Sequence, residues 1–352
     1  MKKSIRIILL LILVLGIFAF KSVYQSGAFK TIVNSFSGTT RQVDGIVGAE
    51  DITIDQSTGI AFISSDDRWA TKIYKKPVKG AIYSLNLNDS TSKPVNLTLD
   101  LDQQDFHPHG ISLYQTPQGK KILFVVNHRN DGNVIERFEY RNDSLILIES
   151  IPDDLIISPN DIIGVGERSF YITNDHNEKL STWRYVKDLL AIGNGNVCYF
   201  DGEKMTITSI EGMKYANGIA VSLDGKKLYL TSTTGKCLYI YDRDIPSGKL
   251  VEVARMDNGT GVDNIEMDTK GDLWIGCHPQ MLKFITHSKN EDACSPSEII
   301  KLTNLGNDKF RQETIYMNNG KEISASSVGA VYKDLLVIGP VFQRHITIGK
   351  MK

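Results

Sequence analysis

Six pairs of residues share one setting: Glu50-Asp51, His109-Gly110, Asn160-Asp161, Asn217-Gly218, Asp263-Asn264 and Ser326-Ser327 each stand just before, or one residue ahead of, a β-branched residue that opens an alternating apolar stretch. Carboxylates and carboxamides dominate the set, and both offer hard oxygen donors. Calcium takes about six to eight such oxygens and tolerates irregular geometry. Zinc would ask for His and Cys instead. A divalent cation held with one face open is a Lewis acid that polarises an oxygen brought to it. Adjacent residues of an extended chain point to opposite sides, so Glu50 and Asp51, like Asn160 and Asp161, are expected to serve two stacked ions.

For these side chains to meet, distant stretches must converge. The β-branched openers are Ile52, Ile111, Ile162, Ile219, Ile265 and Val328, at intervals of 46 to 63 residues. Each is followed by a turn and a second strand, most plainly in Asn217 to Leu230 with its Asp224-Gly225 turn. Propeller blades repeat every ~40–50 residues before loops are added. Six repeats predict an all-β, six-bladed propeller whose innermost strands line a central tunnel, so that equivalent positions meet at one mouth of it. Helical periodicity competes only over Trp183 to Ile192, read as one inserted helix.

Composition limits the partners. With 40 basic and 41 acidic residues the chain has no polybasic footprint, so nucleic acid is not an expected partner. Four cysteines (Cys198, Cys237, Cys277, Cys294) lack metal-ligand spacing. Lys2, Lys3 and Arg6 precede an apolar run from Ile7 to Phe20. Residues 1–29 therefore read as a signal peptide or signal anchor and 30–352 as a single propeller domain. The run itself is short for a bilayer span of ~20 residues. Export is expected, to a secreted, periplasmic or membrane-anchored location, with possible contact to a membrane through the leader.

Collinear motifs then carry a resemblance. Gly48-Ala49-Glu50-Asp51-Ile52, Pro108-His109-Gly110-Ile111-Ser112, Val126-Asn127-His128, Asn160-Asp161-Ile162, Thr173-Asn174-Asp175-His176, Ala216-Asn217-Gly218-Ile219, Val262-Asp263-Asn264-Ile265 and the run Gly271 to Pro279 resemble those of the paraoxonase/arylesterase family from about residue 46 onward. The resemblance implies a calcium-dependent hydrolase of lactones or aryl esters with two calcium ions. It implies a catalytic ion held by Glu50, Asn160, Asn217, Asp263 and Asn264. A deeper structural ion would use Asp51, Asp161 and the backbone carbonyl of Ile111. His109 and His128 match the family's water-activating pair; a rival assignment makes Glu50 or Asp263 the base or nucleophile while still a ligand. His176 matches a pocket residue, and Trp69 with Tyr215 are candidates for an apolar pocket wall.

Two departures, one cysteine that keeps to the family's free-thiol position, and two alternatives accompany this reading. His107 stands where the family motif has Asn, which gives an H-x-H pair but no third transition-metal ligand nearby. Cys277 has no base paired with it in its motif and reads as a buried thiol. The first and last strands, near Arg41 to Val47 and Val341 to Ile346, contain no cysteine. Closure must rest on strand pairing, without the ~4–5 kcal/mol that a cross-link of nearly the whole chain contributes in the entropy model. A sugar lactonase of the regucalcin/gluconolactonase type shares the architecture but has fewer ligands. A non-enzymatic propeller scaffold would need no histidine at the tunnel mouth.

Overall fold

The computed structural model describes residues 2–178, 187 and 192–352. The expected helix over Trp183 to Ile192 falls almost wholly outside them. From Ser35 onward the strands form six antiparallel sheets. Their innermost strands are Asp51–Asp55, Pro108–Gln115, Pro159–Gly164, Ala216–Val221, Gly261–Met267 and Ser326–Tyr332. Each packs beside the next and the sixth beside the first, which closes the ring of a six-bladed propeller.

The six sheets face one another, so the apolar core lies between blades. Ile346, Val337, Ile52 and Ile63 join the sixth blade to the first. Phe62, Ile82, Ile111 and Phe138 join the first to the second, and Phe124, Ile162, Phe170 and Ile172 the second to the third. Burying the apolar face of each sheet against its neighbour leaves the tunnel side free for polar groups. Closure needs no cross-link. The strand Gly38–Asp44 supplies the outer edge of the sixth blade, pairing residue for residue with His345–Met351. All four cysteines are free.

The apolar leader forms a helix, Lys2–Gln25, of 24 residues. Its stretch Ile5–Gln25 is long and apolar enough to cross a membrane, which corrects the shorter span read from the run Ile7 to Phe20. The difference arises because the helix continues past Lys21 for another turn. Ser26 then meets the body of the protein, its carbonyl accepting from Met281 N at 2.9 Å.

Candidate active site

The polar pairs occupy the same irregularity in successive blades. Strand pairing skips between Pro108 and Ile111, Pro159 and Ile162, Ala216 and Ile219, Val262 and Ile265, and Ser326 and Val328. The skipped residues are His109-Gly110, Asn160-Asp161, Asn217-Gly218, Asp263-Asn264 and Ser327. These are bulges, which release residues from the ladder and re-aim their side chains. Simple strand alternation, the expectation from sequence, holds only in the first blade, where Asp51 pairs with Ser64 and Glu50 precedes the strand. The glycines of two pairs are needed for close approach. A Cβ on Gly110 would lie 2.5 Å from Asp161 Cα, and one on Gly218 2.5 Å from the Asp263 carbonyl oxygen.

The structure brings four of the five residues of the first expected set together and puts Asn160 at the equivalent bulge of the third blade. Asn264 Nδ2 donates to Glu50 Oε1 at 3.0 Å and to the Glu50 carbonyl at 3.0 Å. Asn217 Nδ2 donates to Asp263 Oδ1 and, at 2.9 Å, to Thr233 Oγ1. Ser327 Oγ, from the sixth blade, donates to the Glu50 carbonyl at 2.6 Å. Four oxygens are left over: Glu50 Oε2 and the Oδ1 atoms of Asn160, Asn217 and Asn264 are buried without a hydrogen-bond donor. Orphaned buried acceptors are costly and rare. Four in one ring of blades fit a hard cation, which would be held by those oxygens together with Asp263. Among the described residues no three His, Cys, Asp or Glu side chains gather as a metal cage; the donors here are mostly amide oxygens, as calcium accepts.

The second set lies beside the first. Asp51 Oδ2 accepts from Ile111 N at 2.7 Å, and Asp161 Oδ2 from Ile219 N at 2.8 Å. Each carboxylate thus clasps the next blade's opening strand. Ile111 meets Asp51 through its N–H. Burial, and then the charge of Glu50, push Asp51 well above the usual carboxylate range; burial and Asp51 do the same to Asp161. Glu50 goes the other way. Burial would raise it, but His109 in its protonated form, Arg68 and the Asn264 amide outweigh that and hold it at about 2.

His109 Nδ1 lies 2.8 Å from His128 Nε2, and His109 Nε2 faces Glu50 Oε2 at 3.3 Å. A residue that sequence reasoning missed fixes the proton positions. Asn133 Nδ2 donates to the Ile157 carbonyl at 3.0 Å, so its Oδ1 is the atom 2.8 Å from His128 Nδ1. Burial, and after it His109, push His128 down to about 3, so the ring is neutral at physiological pH. Its Nδ1 must therefore carry the hydrogen donated to Asn133, and its Nε2 must accept from His109 Nδ1. That leaves His109 Nε2 as the nitrogen aimed at Glu50 and the polar ring.

The remaining candidate residues divide. Tyr215 lines an open cavity of ≈ 920 Å³ above His109 and His128. His176 is buried behind it, edge-on to the Tyr215 ring at 5.5 Å. Trp69 does not reach that cavity. It is 5% exposed and packs in a core cluster with Ala325, Val341 and Phe342, its Nε1 donating to the His287 carbonyl. A large aromatic is drawn into whichever apolar cluster is at hand, and here that cluster lies under the rim. The described cavity wall is basic, where an apolar wall was expected. His107 pairs with Asp66 at 2.9 Å, which raises it, so it is spoken for as an ion pair. Burial pushes the Cys277 thiol well up, in keeping with an inert buried cysteine.

Sequence reasoning also passed over His278 and Glu266. His278 Nε2 contacts Asp263 Oδ2 at 2.7 Å from the neighbouring strand. Its place in the run Gly271 to Pro279 was the available signal. Glu266 follows Asn264 by two positions, on the same face of its strand, and is raised by burial and by Asp51.

A sequence profile of the Arylesterase family matches residues 35–348. The chain belongs to the arylesterase family. Curated relatives of this family of ester hydrolases agree across most of its length. Rat serum paraoxonase/arylesterase 2 is 32% identical over 313 residues, 87% of either chain. Mouse serum paraoxonase/arylesterase 1 is 31% identical over 341 residues, 93% of either. Human serum paraoxonase/lactonase 3 is 31% identical over 305 residues, 85% of either. Among solved structures, a calcium-binding protein, regucalcin, from Agrobacterium tumefaciens superposes with a TM-score of 0.53 at 14% identity. The match covers 91% of this chain and 98% of that one and shows the shared propeller fold.

Proposed function

We propose that this arylesterase-family chain is a calcium-dependent hydrolase of lactones and aryl esters, exported or anchored through its N-terminal helix. The observation that carries the reading is the set of four orphaned buried oxygens beside a histidine pair at one tunnel mouth. Glu50, Asn160, Asn217, Asp263 and Asn264 would hold a catalytic calcium, and Asp51, Asp161 and Ile111 a structural one. Bound there, calcium would supply a Lewis acid to polarise the substrate carbonyl.

The chain's own groups do the rest. His109 Nε2 takes a proton from water on the ring side. His109 Nδ1 stays hydrogen-bonded to neutral His128, which keeps the first imidazole in the tautomer whose free nitrogen faces the site. Asn133 in turn holds His128. Replacing Asn133 by alanine is expected to lower kcat on the order of tenfold by freeing the His128 ring, with KM little changed. Equal kcat for variant and wild type would remove Asn133 from the relay.

The reading is tested by hydrolysis of phenyl acetate and a panel of lactones with excess chelator and after calcium is restored. Turnover should vanish and return. Activity that survives complete chelation would overturn the calcium mechanism, and no activity on any ester or lactone with calcium present would favour a structural scaffold.

A further inference from the structure

One wall of the cavity above His109 is cationic to a degree the rest of the chain is not. Residues 68–79 contain Arg68, Lys72, Lys75, Lys76 and Lys79 and no acidic residue, in a protein of net charge −1. All five line the cavity with His109 and His128. The segment is built into the body. Its helix, Arg68–Lys72, is capped by Asp67, whose side chain accepts from Ala70 N, and Trp69 stacks on Phe342 at 5.4 Å. Lys75 is held at φ +52, a left-handed conformation that costs a side chain about 1–2 kcal/mol, so a long cation occupies a position that glycine or asparagine would take more readily.

Two of the cations are committed elsewhere. Arg68 points inward to the carbonyls of Gly48 and Val341, and Lys79 Nζ donates to the Leu101 carbonyl at 2.6 Å. Among the described residues, Lys72, Lys75 and Lys76 make no ion pair. Three acids share the cavity and offset part of this charge. Asp66 is bound to His107, Asp105 to Asn130 at 2.7 and 2.8 Å, and Asp175 to His176 at 3.0 Å. The cations still outnumber the acids, so the wall presents a net positive field over the histidine pair; Lys72 lies within electrostatic reach of Asp66, Asp175 and Glu50, which leaves Lys75 and Lys76 as the least compensated of the five.

We infer that the preferred substrates are esters or lactones bearing a second, anionic group, a carboxylate or a phosphate, which Lys72, Lys75 and Lys76 attract while the scissile carbonyl sits at the ligand ring. This deepens the hydrolase reading and rests on it. A fixed cluster of like charge in a concave site concentrates the opposite charge and fixes its orientation.

The test compares kcat/KM for matched substrates. Monophenyl glutarate against phenyl valerate probes a carboxylate on the acyl side. 4-Acetoxyphenyl phosphate against 4-methylphenyl acetate probes a phosphate on the leaving group. In at least one pair the anionic-to-neutral ratio should fall about fivefold in the double variant Lys75→Gln, Lys76→Gln. It should also fall in wild type as salt rises from about 0.01 M to 1 M, because exposed charges are screened. Retention of the calcium-dependent melting shift shows that the variant is folded, and the wild-type salt series stands without it. If neutral esters are hydrolysed and neither manipulation moves either ratio, the cationic wall does not select anions and this inference alone fails. If wild type with calcium hydrolyses neither member of either pair, the hydrolase reading fails with it.

Discussion

Replacing His109 by glutamine is expected to lower kcat/KM for phenyl acetate by about 10²- to 10⁴-fold, the range for loss of a general base. Glutamine keeps a polar amide close to the place of His109 Nε2, now 3.3 Å from Glu50 Oε2, but it cannot take up a proton. Calcium-dependent thermal stabilisation should persist, because His109 contributes no ligand atom. His128 is neutral and joined to His109 by a 2.8 Å contact, so the two should behave as a unit. The double variant His109→Gln, His128→Gln should then cost little more than His109→Gln alone. Additive losses would separate the two histidines. A loss below about tenfold for His109→Gln would shift the base to a ligand carboxylate, Glu50 or Asp263.

The ring of polar pairs was legible in the sequence because it is repeated. Each blade must open its inner strand with a β-branched residue, and the residues before that opener stand out as too polar for a strand and too acidic for a plain turn. What the repeat could not disclose is how the chain aims both members of a pair. The bulges at Pro108/Ile111, Pro159/Ile162, Ala216/Ile219 and Val262/Ile265 do this, and they appear only in the pairing of one strand with the next. Asn133 and His278 were missed for a related reason. Asn133 acts through carbonyls of the segment that follows its blade, and His278 through a bulged residue on the strand beside it. Neither contact follows a sequence period. Trp69 shows the converse: an aromatic near the site in sequence was drawn into the core below the rim, while the lysines that follow it form the wall.

Asp161 offers the sharpest division between the two ligand sets. Its Oδ1 accepts from Ile162 N at 2.7 Å and its Oδ2 from Ile219 N at 2.8 Å, yet burial and the neighbouring Asp51 raise its pKa well above 3.8. Without calcium, the folded protein therefore prefers this carboxyl protonated. Below pH 3.8 the unfolded chain holds the proton too, and the contribution is fully present. As pH rises the unfolded chain releases it first, so chelated wild type should lose up to about 1.4 kcal/mol per pH unit from this group until the folded carboxyl ionises. Calcium favours the ionised form and should remove that loss. At free calcium 1,000-fold above Kd each ion adds about 4 kcal/mol. Asp161→Asn keeps the shape but not the charge, and its Nδ2 faces a backbone N–H. The variant should resemble wild type in chelator, show a flatter decline with pH, and lose at least about half of the melting shift that wild type gains from calcium. Scanning calorimetry at pH 5 and pH 8, with and without calcium, reads all three. A variant that gains as much from calcium as wild type does would mean that Asp161 only clasps one blade to the next, and that the second ion has no home beside Asp51.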